Sequence, residues 1–265
     1  MWIDTHCHLD ASEFAGEHAD VAARAGQQGV SMIVIPSVAK DNFAAVSQLA
    51  RGSVNCSYAL GIHPIFVPNA DESDLVFLRK EVGDAMRDPS FVAIGEIGLD
   101  FFVPGLGDGA LREKQEHFYS EQLKIARDFD LPVLLHVRRS QDVILKYLRR
   151  IAVRGGIAHA FNGSFQQADE FIRRGFRLGF GGAMTFTRAL QIRRLATELP
   201  EEAIVLETDA PDISPAWVHP GRNSPEHLPQ IGKVLSELRD TSEAHIAQLT
   251  SANARDVLPR LIHPA

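Results

Sequence analysis

The chain opens with the stretch Met1-Trp2-Ile3-Asp4-Thr5-His6-Cys7-His8-Leu9-Asp10. Its apolar beginning predicts a short buried strand, with His6 and His8 at the end of it. Side chains two residues apart in extended backbone point to the same side, roughly 7 Å apart. In an apolar core each imidazole needs hydrogen-bond partners, and neighbouring backbone is the plainer source of them. Because Asp4 and Asp10 flank the pair, we favour a shared metal ion instead.

Four further polar residues close short apolar runs later in the chain. They are Glu96 after residues 91–95, His136 after 132–135, His159 after 156–158, and Asp209 after 204–208. One polar residue where a buried strand ends is unremarkable. Five such endings along one chain predict that these side chains share a site.

Strand-like and helix-like segments alternate through the whole sequence. We predict strands near residues 1–7, 30–36, 54–60, 91–97, 132–136, 156–160, 176–181 and 203–208. Helical spacing covers residues 17–28, 40–51, 72–86, 110–128, 140–150, 165–174, 187–198, 226–239 and 242–258. The predicted helix N-caps are Asp41, Ser73, Ser140 and Ser242.

This alternation predicts an α/β fold, a single (β/α)8 TIM barrel that occupies residues 1–265 as one domain. In such a barrel the active site lies at the carboxyl ends of the strands, where the five polar endings fall. The alternative is a doubly wound open sheet. That fold usually has a glycine-rich phosphate loop after the first strand, where this chain has His6 and His8.

Composition limits the classes of function. The formal net charge is −7, which disfavours a protein that coats long duplex DNA. A pair of divalent ions would add about four positive charges at the site, so a nucleic acid substrate with a small footprint remains compatible. No apolar run is long enough to span a bilayer, and the first residues do not form a signal peptide. The two cysteines, Cys7 and Cys56, suit a reducing compartment, so we expect a cytoplasmic protein. We also expect a monomer with no membrane partner.

Three residues carry predicted catalytic roles. Asp209 is a candidate ligand and general base; the plainer interpretation is a turn aspartate before proline. Glu207 lies two residues earlier on the same strand face, where it would order water or hold an imidazole. His63 follows the third predicted strand, and Pro64 after it favours extended backbone. We expect His63 to contact substrate or support the site, with simple loop packing as the alternative.

The carboxylate of Glu96 lies between Gly95 and Gly98 and needs a buried partner, either an arginine or metal ions. Its two oxygens can bridge two ions about 3.5–4 Å apart. Asp100 is expected to brace the loop that follows. Four arginines near the predicted barrel mouth are either phosphate contacts or solvated surface residues: Arg138, Arg139, Arg188 and Arg222. Four mouth-side phenylalanines either stack an unpaired base or, more commonly, anchor loops: Phe66, Phe101, Phe102 and Phe161.

Several segments together resemble the TatD family of metal-dependent hydrolases. They are residues 5–10 (THCHLD), 61–64 (GIHP), 95–100 (GEIGLD), 132–136 (PVLLH), 206–211 (LETDAP) and 222–225 (RNSP). The resemblance implies a TIM-barrel hydrolase with two metal ions. It places His6, His8, Glu96 and Asp209 on one ion, and Glu96, His136 and His159 on the other. Asp212 is a departure, since an aromatic or other apolar residue is common there.

The resemblance also implies a DNase, since several members remove nucleotides from single-stranded 3′ ends. We therefore predict a 3′–5′ exonuclease on single-stranded DNA ends that uses a water activated by two divalent ions, Mg²⁺, Mn²⁺ or Zn²⁺. One alternative is a hydrolase of small cyclic amides, lactones or esters. Several such barrels bridge their metals with a carbamylated lysine where this chain has Glu96. The other alternative is a non-catalytic binding module, although no ligand candidate is missing.

Overall fold

The computed structural model describes residues 1–261, and in that range eight parallel strands form one sheet in chain order. The strands are β1 (Trp2–Asp4), β2 (Val30–Pro36), β3 (Cys56–Leu60), β4 (Phe91–Asp100), β5 (Val133–Arg138), β6 (Gly156–Ala158), β7 (Phe176–Phe180) and β8 (Ile204–Leu206). Each strand pairs in parallel with the next one along the chain.

Backbone hydrogen bonds between the ends of β1 and β8 bring the first and last strands together. The N–H of Thr5 donates to the carbonyl of Leu206 at 3.1 Å, and the N–H of Asp209 donates to the carbonyl of His6 at 2.8 Å. The sheet is thus a nearly closed barrel with helices between its strands. The predicted (β/α)8 fold is confirmed, and the open-sheet alternative is wrong.

Nine α-helices surround the barrel within residues 1–261. They are α1 (His18–Gln27), α2 (Phe43–Gly52), α3 (Glu72–Ala85), α4 (Gly109–Asp128), α5 (Gln141–Leu148), α6 (Phe165–Ile172), α7 (Leu190–Glu198), α8 (Leu228–Leu238) and α9 (Glu243–Val257).

Helix α4 also positions the segment after β3. The buried amide of Gln122 accepts from the N–H of Ile62 at 2.7 Å and donates to its carbonyl at 3.0 Å. This pair of bonds fixes the segment that carries His63.

The boundaries differ from prediction in a few places. Strand β4 continues to Asp100 because its last residues pair with β5 as far as Arg138. Ser140 and Ser242 are N-cap residues, as predicted. Asp41 and Ser73 are not: a 3-10 turn over Lys40–Asn42 precedes α2, and Asp71 caps α3 by accepting from the N–H of Ser73 at 2.8 Å.

The amino-terminal end of the barrel is filled with apolar side chains and covered by the end of the chain. One buried cluster contains Ile3, Met32, Val34, Ala59, Val92, Ala93, Leu134, Ile157, Val205, Ala254, Val257, Leu258 and Leu261. Helix α9 and the residues after it supply the last four of these. With that end closed, the opposite end, formed by the carboxyl ends of the strands, is the one available for a site. None of the helices in residues 1–261 is long and apolar enough to cross a membrane.

Candidate metal centre

The six predicted ligand residues all lie at the carboxyl-terminal end of the barrel. Glu96 and His136 belong to β4 and β5, while the other four follow strand ends closely: His6, His8, His159 and Asp209. Parallel strands end at the same rim, so residues up to 203 positions apart in sequence come together there.

Glu96 is the residue at which two pairs of histidines meet. Its side chain is 1% exposed, and its Oε2 lies 3.1 Å from Nε2 of His6 and 3.3 Å from Nε2 of His8. Its Oε1 lies 2.9 Å from Nδ1 of His136 and 2.7 Å from Nε2 of His159. The two oxygens of one carboxylate therefore face different histidine pairs, which suits a bridging position between two cations.

Asp209 completes the group around the first pair of histidines. Its Oδ1 lies 3.6 Å from Nε2 of His6, 3.7 Å from Nε2 of His8 and 3.9 Å from Nδ1 of His159. Its backbone has a φ of 57°, in the left-handed region, which aspartate tolerates better than most residues. The hydrogen bond from its N–H to the carbonyl of His6 holds this conformation. Such backbone outliers concentrate at functional sites.

The donor atoms fit a divalent cation. Three sets of side chains have ligand atoms within 4.8 Å of one another: His6, His8 and Asp209; His6, Glu96 and His159; His63, Glu96 and His136. Imidazole nitrogens face each other at 3.4 Å between His6 and His8 and again between His136 and His159. Imidazole nitrogens beside buried carboxylates are the donor set that Zn²⁺ and Mn²⁺ accept.

Burial and the neighbouring carboxylates shift the pKa values of the cluster in opposite directions. Burial lowers the pKa of His6 to about 3, so this imidazole is neutral and has a lone pair to offer. Burial opposes ionisation of Glu96, but the neighbouring histidines hold the pKa of this carboxyl well below its usual value. Burial also opposes the charge of His8 and His159, but the carboxylates beside them raise the pKa of His8 to about 9 and that of His159 to about 10. A divalent cation at this position would therefore displace protons from these rings.

His63 lies closer to the cluster than its sequence position indicated. Its Nε2 is 3.0 Å from Nδ1 of His136 and 3.3 Å from Oε1 of Glu96. Its Nδ1 accepts a hydrogen bond from the N–H of Ile65 at 3.1 Å. Burial lowers the pKa of His63 to about 4, so the ring is neutral and its one proton is on Nε2. The atom that faces the cluster is therefore a hydrogen-bond donor.

Asp100 contacts His136, a candidate ligand, and the sequence did not predict this contact. Its Oδ1 accepts from the N–H groups of Phe102 and Val103, bracing the loop as expected. Its Oδ2 lies 3.0 Å from Nε2 of His136. Burial disfavours the anion, but hydrogen bonds from His136 and the loop hold the pKa of Asp100 at about 2. The period-two spacing from Glu96 along β4 was the available signal for this shared face.

Glu207 supports the segment of His159 instead of joining the central group. Its Oε1 accepts from the N–H of Ala160 at 2.5 Å and lies 3.9 Å from Nδ1 of His159. Burial raises the pKa of Glu207 to about 8. Asp4 also supports the site, which the sequence did not predict. Its carboxylate accepts from the hydroxyl of Thr208 at 2.6 Å and so holds the turn before Asp209.

The aromatic and basic residues near the carboxyl-terminal end of the barrel differ in how far their side chains are exposed. Phe161 is fully buried against Phe171, so it cannot stack a base and serves as an anchor. Phe66 and Phe102 are each 43% exposed. The guanidinium of Arg138 lies 3.9 Å from the centre of the Phe102 ring. Cys7 is completely buried. Phe101 is partly exposed, and Arg139 and Arg188 are exposed.

Comparison with known proteins gives consistent results. A family model described as TatD related DNase matches residues 3–259. The chain is 39% identical over 248 residues to the uncharacterized metal-dependent hydrolase YjjV of Escherichia coli, covering 93% of each chain. It is 31% identical over 270 residues to the 3′-5′ ssDNA/RNA exonuclease TatD of Cronobacter sakazakii, covering 99% of this chain and 100% of that one. The crystal structure of the E. coli YjjV protein superposes with a TM-score of 0.90 at 37% identity, covering 97% of this chain and 98% of that one.

Proposed function

This chain belongs to the TatD family of metal-dependent hydrolases, and from that premise we propose that it is a deoxyribonuclease. We propose that it acts as a 3′–5′ exonuclease on single-stranded DNA ends. The observation that carries the proposal is the position of Glu96, whose two oxygens face two separate pairs of histidines. Relatives that share about a third of their residues with this chain are named as 3′-5′ ssDNA/RNA exonucleases.

Two divalent ions are proposed for the centre, divided as the family resemblance implies. His6, His8, Glu96 and Asp209 would hold one ion, and Glu96, His136 and His159 would hold the other. Such ions, when bound, would polarise a phosphodiester, lower the pKa of a water and neutralise the charge that develops on the leaving oxygen. Donor types alone leave Mg²⁺, Mn²⁺ and Zn²⁺ as candidates.

The chain's own residues supply positioning and proton transfer. Asp209 accepts the proton of the attacking water, since Oδ1 faces the cluster and the side chain is 12% exposed. Water oxygen adds to phosphorus, the bond from phosphorus to the 3′ oxygen of the preceding nucleotide breaks, and that oxygen receives the proton that Asp209 took from the water. His63 donates from Nε2 to a phosphate oxygen, because its Nδ1 is occupied by the N–H of Ile65. Glu207 keeps the His159 segment in place through Ala160.

The net charge of −7 favours a short contact with one strand end over a long duplex footprint. A monomer is sufficient for such a substrate, because all the proposed ligands come from one chain. The expected substrate is therefore the end of a single strand, bound at the mouth of one barrel.

The test compares His136→Ala and Asp209→Ala with the control His245→Ala. His245 is an exposed histidine that pairs with Glu201. Each protein is assayed with 3′- and 5′-labelled single-stranded DNA across Mg²⁺, Mn²⁺ and Zn²⁺, and its metal content is measured. We expect loss of DNA hydrolysis by a factor of about 10² or more in the first two variants only. A panel of lactones, cyclic amides and esters is tested in parallel. Hydrolysis of that panel without any DNA hydrolysis, or retained activity in both variants, would overturn the proposal.

A further inference from the structure

A pocket of about 860 Å³ lies beside the metal centre, between the segment after β7 and the segment after β8. Phe186, Arg188, Asp212 and His219 are among the residues that line it, and none of the candidate metal ligands does. Pockets that bind small molecules have volumes of about 300–1,000 Å³. The pocket is therefore a distinct subsite large enough for one nucleotide.

The wall that contains Asp212 is fixed to the metal centre. The N–H of Asp212 donates to the carbonyl of Asp209 at 2.9 Å. The side-chain amide of Asn223 donates to the carbonyls of Asp212 at 2.9 Å and Thr208 at 2.8 Å. A turn of this kind keeps its first and fourth Cα atoms within about 7 Å. The backbone of Asp212 is thus held within one turn of Asp209, and its side chain lines the pocket.

The aromatic residues that line the pocket offer a surface for a base. The rings of Phe186 and His219 are nearly perpendicular, at 84°, with centroids 5.5 Å apart. The guanidinium carbon of Arg188 lies 5.5 Å from the centre of the Phe186 ring. Aromatic rings and arginine planes stack bases without strong sequence preference. These groups could stack a base without strong preference for its identity.

The charged side chains of the pocket differ in whether they are already paired with an opposite charge. The guanidinium of Arg222 is paired with Glu17 at 2.6 Å and lies over the Phe14 ring. Among residues 1–261, neither Arg188 nor Asp212 has a salt-bridge partner, and both are exposed. An unpaired carboxylate accepts a hydrogen bond from a hydroxyl and repels a phosphate.

We propose that this pocket holds the 3′-terminal nucleotide and that Asp212 selects a free 3′-hydroxyl over a 3′-phosphate. The base stacks on Phe186 and Arg188, the 3′-hydroxyl donates to the Asp212 carboxylate, and the phosphodiester on the 5′ side reaches the metal centre. This inference rests on the proposed nuclease function. It adds a requirement for the chemistry of the strand end and makes Asp212 a specificity-determining residue.

The experiment uses two single-stranded oligonucleotides that differ only in a 3′-hydroxyl or a 3′-phosphate. Wild type is compared with Asp212→Asn and with the control Asp169→Asn, which changes an exposed aspartate on α6. We expect wild type and the control to prefer the hydroxyl end about tenfold or more in kcat/KM, the size of one lost charged hydrogen bond. In Asp212→Asn the ratio should fall to about threefold or less, mainly through faster cleavage of the phosphate end.

A second variant, Ala183→Leu, reduces the space of the pocket without changing its charge. It should raise KM for the hydroxyl-ended oligonucleotide while hydrolysis of bis(p-nitrophenyl) phosphate, which needs only the metal centre, stays near wild type. If wild type cleaves both ends equally, or if Asp212→Asn keeps the wild-type ratio, this inference is overturned while the nuclease function stands. If wild type cleaves bis(p-nitrophenyl) phosphate but neither oligonucleotide, the nuclease function itself fails.

Discussion

The Nε2 atom of His136 lies 3.0 Å from Oδ2 of Asp100, while Nδ1 of the same ring faces Glu96 at 2.9 Å. The ring is thus held from both sides by carboxylates. Because Asp100 is an acceptor, the proton of a neutral His136 ring belongs on Nε2, which leaves the lone pair of Nδ1 for a cation. We therefore expect Asp100 to position the proposed ligand His136 without contacting the ion itself.

Asp100→Asn should weaken metal binding by a factor of about 10 to 100. The amide keeps an acceptor oxygen for the N–H groups of Phe102 and Val103, so the loop should stay folded. Its NH2 group would donate to His136 and drive the proton of that ring to Nδ1. Calorimetric titration of Mn²⁺ or Zn²⁺ into metal-free protein measures the effect, with the exposed Asp108→Asn as control. Unchanged affinity with an unchanged circular dichroism spectrum would show that Asp100 only braces its loop.

The contrast between Glu96 and Asp100 shows which parts of the site a sequence reveals. Glu96 was identifiable because a carboxylate at the end of an apolar run needs a buried partner, either an arginine or metal ions. The role of Asp100 toward His136 depends on the register of β4 against β5, in which Gly98 pairs with His136 and Asp100 with Arg138. Register between strands that are distant in sequence is set by packing of the whole barrel, and no local pattern reports it.

The fold itself followed from local patterns, because alternating periodicities of two and 3.6 residues are written into each segment. The loops did not follow so directly. Phe161 was a candidate for base stacking, yet it is fully buried against Phe171. The pocket at Asp212 depends on hydrogen bonds such as that from the N–H of Ala216 to the hydroxyl of Thr185, across two loops. Such contacts between loops have no sequence periodicity.

Removal of divalent ions should lower the melting temperature of the wild-type protein. A ligand that binds only the folded state at 100 times its Kd contributes about 2.7 kcal/mol to the free energy of unfolding. For a chain of this size the loss corresponds to roughly 5–10 °C. Scanning calorimetry with and without a chelator measures the change, and His136→Ala should show a smaller one. Equal melting temperatures with and without chelator in the wild type would contradict the presence of a bound ion.

Gly179→Ala should displace the carboxylate of Glu207. A Cβ at position 179 would overlap with that carboxylate, which leaves no space for a methyl group in β7. We expect a loss of about 1–3 kcal/mol in the free energy of unfolding and reduced activity, since Glu207 would release the N–H of Ala160. Gly52→Ala, at the end of α2 with no atom within 4 Å of the new Cβ, is the control and should be neutral.

A double-mutant cycle separates this contact from a general effect of the methyl group. In a Glu207→Ala background the same Gly179→Ala change should cost much less, because the overlapping carboxylate is gone. Urea unfolding of the four proteins gives the interaction energy. An equal cost in both backgrounds would place the strain elsewhere in β7.

Arg260→Ala should destabilise the protein without changing its catalysis. The guanidinium donates to three backbone carbonyls near the start of β4: Phe91 at 2.7 Å, Asp88 at 2.9 Å and Met86 at 3.1 Å. These bonds hold the end of the chain against the amino-terminal end of the barrel, opposite the metal centre. Removing them leaves partly buried carbonyls unpaired, at a cost of about 2 kcal/mol, or roughly 4–8 °C in melting temperature.

The control for this variant is Arg154→Ala, since Arg154 has one exposed ion pair, with Asp130 at 2.8 Å, and should contribute less than about 1 kcal/mol. Below the melting transition, Arg260→Ala should keep the wild-type kcat/KM, because the amino-terminal end of a barrel contributes stability and the carboxyl-terminal end contributes chemistry. A fall in kcat/KM at a temperature where the variant is fully folded would mean that the two ends of this barrel are mechanically coupled.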